Sequence, residues 1–395
     1  MEGGEERYNT ARDIFAELKG KELYRTIGFK EIAMIYGDTE ASYRKTAKLI
    51  NRVRWQEEGG TPYRSLQENT EWEGCRVIDY MEEKSKRILK KKGFSEDGKY
   101  LDDTMPCGDH EPMSICDEKV MEAAKKCACS EDIIHNGVPY EDPEHTVNIS
   151  IDDVNVKKQK EERKGYEELE EGKRKYVHNT VVHVGKGGKS YTLNGYGIRA
   201  VLLYLIALIL NSGLLGCRFQ FFTDGHTLLN DTIIRCFSWY KNMGIILDWF
   251  HLVKKCKEQL SLGMKGRGVR NEVLRHIMPF LWHGRADKAI DALKEIEDKC
   301  IKDTAAVEKL IAYLQRHSPH IPCYAVRKEL GLRNSSSIGE KMNDLVVSER
   351  QKHNGMSWSR RGSLALASIT SLKRNEETRI WFEEKRLNFK LAASA

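Results

Sequence analysis

At Thr146 the hydrophobic period of the chain changes to two. Val147, Ile149 and Ile151 alternate with Asn148, Ser150 and Asp152, the pattern of a strand with one buried face. A Lys/Glu-rich stretch at 157–175 interrupts, and strand character resumes over Val177–Val184 and Ser190–Leu193, with Gly185-Lys186-Gly187-Gly188 as the hairpin turn between them. The apolar run from Ala200 to Leu210 is about half of the roughly 20 residues needed to cross a bilayer. It reads as the centre of a buried helix over 197–211, so no membrane association is expected. A strand Cys217–Asp224, a helix 226–240, a strand Gly244–Leu247 and a long helical run to about residue 315 follow. Such a β-β-β-α-β-α-β series followed by helices belongs to the α/β class, with helices laid against a mixed sheet.

Upstream the chain is charged and helical in period. Tyr43, Ala47, Ile50 and Val53 share one face of a first helix, and residues 62–72 and 73–92 read as two more, broken around Gly74. Residues 1–95 therefore form an N-terminal helical unit. From 96 to 145 Gly, Pro and Cys punctuate short segments, as in an irregular linker or small subdomain. Cys107, His110, Cys116, Cys127 and Cys129 offer zinc-ligand chemistry there, although no Cys-x-x-Cys pair occurs among them. Beyond the alternating region, 146–251, come a helical insertion at 252–332 and a final segment at 333–395. The last segment opens on Ser335-Ser336-Ser337, a helix start, and carries Met342, Leu345 and Val346 as its apolar stripe.

Composition bounds the function class. The 65 Lys and Arg residues against 59 Asp and Glu give a net charge of +6, which permits a polyanionic partner without requiring one. The opening MEGGEERYNT has neither the basic nor the apolar region of a secretory signal. Ten cysteines are too sparse for a disulfide framework. A cytoplasmic protein with reduced thiols is the expectation.

Three acids stand at ends of elements: Asp152 at the end of the first alternating run, Asp224 after RFQFFT, and Glu340 early in the last helix. Convergent carboxylates bind divalent cations through hard oxygen ligands, and a metal pair about 3.5–4 Å apart can serve both oxygens of a phosphoryl transfer. Plainer readings compete. Asp224-Gly225 is a common turn pair, Ser337-Ile338-Gly339-Glu340 fits a capping box, and Asp153 competes with Asp152 for the site.

Ile149-Ser150-Ile151-Asp152-Asp153, Phe221-Phe222-Thr223-Asp224-Gly225, Leu247-Asp248-Trp249-Phe250-His251, Gly339-Glu340 and Gly355-Met356-Ser357-Trp358-Ser359 occur in the order seen in bacterial insertion-sequence transposases of the DDE type. Over roughly 146–375 the chain resembles a mutator-like or related transposase with a ribonuclease-H-like core. The resemblance implies a metal-binding triad of Asp152, Asp224 and Glu340 holding Mg2+ or Mn2+, as two ions. It also implies a helical insertion before the Glu-bearing helix, and a (Cys or Asp)-x-x-His signature in which His251 positions a phosphate or DNA end while Asp248 supports the core. The implied activity is hydrolysis at the element's ends followed by attack of the freed 3′-hydroxyl on target DNA. The implied partners are double-stranded DNA, as terminal inverted repeats and target, and further copies of the chain in a dimer or higher oligomer on the nucleoid. The alternatives are a repeat-binding regulator that does not cut and a metal-dependent nuclease of the same fold.

DNA contacts are expected at two places. Arg44, Lys45, Lys48, Arg52 and Arg54 line the first helix beside Trp55, with Arg64 following, and a helix-turn-helix would insert the later helix into the major groove. A solvated face interleaved with Glu68, Glu71 and Glu73 is the competing reading. The second place is Trp358, Arg360 and Arg361, where the indole either stacks on an extruded base or packs in the core. The same pair of readings applies to Trp282.

Overall fold

The computed structural model describes residues 42–55, 60–101, 114–129, 138, 140–159, 176–352 and 356–393, and residues 28, 30, 31 and 34 besides. Cys107 and His110 lie outside them.

A mixed sheet runs through the middle in the order β5-β4-β1-β2-β3-β6. β1 (Thr146–Lys157), β2 (Tyr176–Lys186) and β3 (Lys189–Gly195) form an antiparallel meander. Its β2–β3 turn is Gly187-Gly188, with φ of 52° and 75°, the two positive angles a type I′ hairpin requires. On the other side of β1, β4 (Arg218–Thr223) and β5 (Met243–Leu247) add in parallel. A two-residue edge strand, β6 (Ala392–Ala393), pairs with β3 and was not legible in the sequence pattern.

Alternation divides the sheet into two faces. Val147, Ile149 and Ile151 of β1, Val182 and Val184 of β2, and Phe219 and Phe221 of β4 enter one core with α2 (Tyr63–Lys91), α4 (Ile198–Asn211) and α5 (Thr227–Cys236). Among the described residues no helix is long and apolar enough to cross a membrane; α4 is buried against this face instead. On the opposite face Phe222 and Ile246 pack with α6 (Trp249–Gly263), α7 (Arg267–Trp282), α8 (Ala286–Lys294) and α9 (Thr304–His317). Here the long helical run divides into four. Val154 and Val156 meet α1 (Tyr43–Val53) and α12 (Arg360–Arg374) on this side too.

Two expectations are corrected. β1 does not end at Asp152 but pairs with β2 as far as Lys157; past Asp152 the apolar positions change face, and Val154 and Val156 bury on the opposite side from Val147, Ile149 and Ile151. Residues 62–92 are one helix, not two. Gly74 does not break α2; it lets α12 approach, since a Cβ there would lie 2.3 Å from the Ala365 carbonyl oxygen. Leu66, Thr70, Val77, Met81, Ser85 and Leu89 are buried along almost the whole of α2, so one face of that helix is committed to the core. Residues 96–145 are not wholly irregular: α3 (Asp117–Lys126) packs by Val120, Ala123 and Ala124 against α10 (Tyr324–Glu329).

The Gly74 contact sets a first prediction. Gly74→Ala adds a methyl where backbone, not a flexible side chain, is in the way, so it is expected to destabilise the fold by about 1–3 kcal/mol as overpacking does. Alanine's better helix propensity, about 1 kcal/mol, offsets only part of this. Urea denaturation of both proteins measures the difference, and an equally stable variant would mean that the two helices part without cost.

Candidate functional site

The parallel pairing of β1 with β4 stops at Ser150 opposite Phe222. Asp152 and Asp224 each lie two residues further on, so alternation puts both carboxylates on the same face, side by side beyond the last rung. Asp153 takes the opposite face and accepts a hydrogen bond from the Thr180 hydroxyl. Geometry thus separates the two neighbours, and Asp152 is the one beside Asp224.

The third acid arrives on α11 (Ser337–Asn343), which continues through a π-helical turn, Asp344–Ser348, and on to Gln351. Gly339 makes this docking close: a Cβ there would stand 2.5 Å from the Ser150 Cβ. The helix therefore rests directly on β1, two residues before Asp152. Glu340 follows, with its side chain 38% exposed, 3.5 Å from His251 Nε2. One turn later Asn343 donates its amide to Asp152 Oδ2 at 2.6 Å. The capping-box reading of Glu340 does not hold: among the described residues no side chain caps α11, and Ser336 donates its hydroxyl to Asp248.

Asp248 is the support beneath this arrangement. Buried at the start of α6, it accepts the His251 backbone N–H at 2.9 Å and both the N–H and hydroxyl of Ser336. One carboxylate thereby ties the helix carrying His251 to the helix carrying Glu340. Burial pushes the Asp248 carboxyl up, but the bonds from His251 and Ser336 outweigh it and hold it below the usual range. His251 is raised, first by Asp248, whose Oδ1 lies 3.4 Å from Nδ1, and further by the charges of Glu340 and Asp224, with burial opposing.

Asp152 behaves differently. Burial pushes its carboxyl up to about 6, the Asp153 N–H works against that, and the charge of Asp224 adds to the rise. A buried carboxylate beside a second one favours either a proton or a cation. The donors are hard oxygens suited to Mg2+ or Mn2+. Asp152, Asp224, Glu340 and His251 share one electrostatic neighbourhood, yet among the described residues no three His, Cys, Asp or Glu side chains stand together as a ready ligand set.

The sequence reading missed Asn343, although its spacing of three from Glu340 on a helix places both on one side. It also missed Tyr313 and His317 on α9, which approach Asp224 over Gly225: a Cβ on Gly225 would meet the Tyr313 hydroxyl at 3.0 Å and His317 at 3.4 Å. Only the fold brings α9 there.

The expected nucleic-acid residues divide. Arg44, Lys45, Lys48 and Arg52 lie on the exposed side of α1, and Arg64 is exposed at the start of α2. Arg44 stacks over the Tyr63 ring at 5.0 Å. Arg360 and Arg361 begin α12, Arg360 lying over Tyr196 and Arg361 donating to the Cys75 sulfur at 3.2 Å. Trp358 is in the core, 7% exposed, with its indole N–H given to the Gln351 carbonyl; of its two readings, packing is the one the structure has. Trp282 likewise packs between Trp249 and Tyr324. The candidate zinc set is not assembled from its described members: Cys116 is exposed, while Cys129 lies 3.8 Å from Cys323, a residue outside that set.

An α/β fold with a carboxylate–histidine site just past the last rung that joins its two central parallel strands is the class these observations define. Comparison with protein-family models, with curated proteins and with solved structures finds no match.

Proposed function

We propose that the chain is a metal-dependent DDE transposase. In this reading the mixed sheet is a ribonuclease-H-like core, the five helices α6–α10 are the insertion before the last core helix, and the exposed basic side of α1 with Arg360 and Arg361 contacts DNA. The observation that supports it is that Asp152, Asp224 and Glu340, far apart in sequence, share one electrostatic neighbourhood with His251, which lies 3.5 Å from Glu340.

The residues have distinct work in it. Asp152 and Asp224 hold the divalent cations, Glu340 completes the set from α11, and Asn343 orients the Asp152 carboxylate through its 2.6 Å bond. When bound, the cations supply Lewis-acid activation of the attacking oxygen and stabilisation of the leaving one. His251, kept protonated more readily by Asp248, offers a positive partner to Glu340 and to a scissile phosphate.

Strand cleavage of DNA carrying the ends of the mobile element, with Mg2+ or Mn2+, tests the reading. The wild type is expected to cut, while Asp224→Asn and Glu340→Gln bind the same DNA and do not. Equal cutting by all three overturns the assignment. Binding without cutting by the wild type marks a repeat-binding regulator, and cutting that ignores the repeat sequence marks a nuclease.

A further inference from the structure

Cys129 and Cys323 lie 194 residues apart in sequence, yet their sulfurs stand 3.8 Å from each other. Cys129 follows the C-terminus of α3, and Cys323 is the residue before α10. The two helices pack through one apolar cluster, in which Val120, Ala123 and Ala124 of α3 meet Ala325 and Val326 of α10. Cys323 is fully buried within it, while Cys127 and Cys129 are half-buried at its edge. Among the described residues no group of three His, Cys, Asp or Glu side chains is placed to hold a metal, so the two sulfurs stand as a dithiol.

A disulfide holds its sulfurs about 2 Å apart, so from 3.8 Å the pair has about 1.8 Å to close, within reach of side-chain rotation. Burial raises the thiols of Cys127, Cys129 and Cys323, that of Cys129 to about 12. Thiolate is therefore scarce at neutral pH, and each sulfur alone reacts slowly. Nearness sets the pair apart, because once one sulfur is oxidised the other is already beside it. The half-buried Cys129 is the one an oxidant meets first. Its thiol takes one oxygen from hydrogen peroxide to become a sulfenic acid, and the other peroxide oxygen leaves as water. The Cys323 sulfur then attacks the sulfenic sulfur, the S–O bond breaks, and the departing hydroxide takes the Cys323 proton as a second water. Both thiols are oxidised and the peroxide is reduced to water.

We propose that Cys129 and Cys323 are an oxidisable dithiol, a modification site at which a peroxide forms a disulfide that staples the end of α3 to the start of α10. The staple bears on the support of the candidate site. Tyr324, next to Cys323, donates its hydroxyl to the Leu247 carbonyl at 2.7 Å, just before Asp248, and its own carbonyl accepts from the Asn334 amide at 2.7 Å. The dithiol stands on its own residues and does not depend on the reading of Asp152, Asp224 and Glu340.

Treatment of the reduced full chain with hydrogen peroxide, followed by alkylation of the remaining thiols and peptide mapping by mass spectrometry, tests it. The folded wild type is expected to give Cys129 joined to Cys323 as its main disulfide-linked peptide pair, and dithiothreitol to reverse the link. Cys127→Ser is expected to form the same link, and Cys129→Ser to leave Cys323 unlinked. The wild-type map stands without any variant, so the link is read even where a substitution disturbs folding. Closing so long a loop of chain lowers the entropy of the unfolded state, so the oxidised wild type is expected to unfold at higher urea than the reduced one, a rise that dithiothreitol abolishes. Absence of the Cys129–Cys323 link in the treated folded chain, a link of Cys323 to Cys127 in its place, or a link no more abundant than in chain oxidised while unfolded in urea overturns the proposal. So does a urea midpoint that the link leaves unchanged.

Discussion

Arg327→Met is expected to destabilise the fold by about 3–5 kcal/mol, the usual cost of removing one partner from a buried ion pair. Arg327 is 0% exposed and Glu141 2%, and their two bonds of 2.7 and 2.6 Å leave the carboxylate no other hydrogen-bonded cation among the described residues. Methionine fills a similar volume, so the loss comes from the stranded charge and not from a cavity. Arg327 also holds the Arg333 carbonyl, which fixes the segment leading into α11. Chemical denaturation of the single variant, of Glu141→Leu and of the double variant gives the coupling. The double variant is expected to recover most of the loss, because replacing both partners by apolar groups removes the uncompensated carboxylate. A single variant within about 0.5 kcal/mol of wild type would mean that Glu141 reaches water or another cation when Arg327 is gone.

Nothing in the sequence signalled that pair. Glu141 sits in a Pro- and Cys-punctuated stretch, and Arg327 lies 186 residues away in the insertion; only the packing of α10 with Tyr140 and α3 puts them together. What the sequence does carry is periodicity. The start of β1, the β2–β3 turn and the α4 run lie within a residue or two of expectation because each is fixed by local pattern. The errors fall where tertiary contact overrides pattern. Gly74 reads as a helix breaker, yet the close approach of α12 requires glycine inside a continuous helix. Trp358 beside Arg360 reads equally as a stacking platform until burial decides. The acids at the candidate site were legible because a charge is conspicuous where the apolar alternation of β1 breaks, directly after β4, and early in a helix. Asn343 and the tethering of Ser336 by Asp248 were not, since both depend on where α11 docks.

Asp152→Asn is expected to make the protein more stable at pH 8 while removing metal-dependent cleavage. Burial and Asp224 push the Asp152 carboxyl from 3.8 to about 6, so the folded chain holds this proton more tightly than the unfolded one. The benefit is complete below about pH 4 and disappears as the pH rises to 6. Above that the ionised carboxylate is a standing penalty of up to about 3 kcal/mol, since each tenfold weakening of an acid corresponds to about 1.4 kcal/mol. Asparagine escapes the penalty. Its single oxygen can still accept the Asp153 N–H, which now bonds Oδ1, and its amide can donate to Asn343 Oδ1, buried and without a partner among the described residues in the wild type, once the Asn343 amide turns over. His251 also titrates, and its raised value places its contribution above pH 6.5, where stability is lost as it deprotonates; its charge also favours the ionised Asp152 carboxylate, against the effect of burial, in the wild type. Urea midpoints compared at pH 4.5 and pH 8 separate the two: the advantage of Asp152→Asn is expected to be small at the lower pH and to approach its full size at the higher. Mg2+ at pH 8 is expected to stabilise the wild type and to leave the variant unchanged, because a dication offsets the charge that asparagine lacks. An advantage that does not grow with pH would mean that the Asp152 carboxylate ionises without strain, and a variant still stabilised by Mg2+ would place the cation elsewhere.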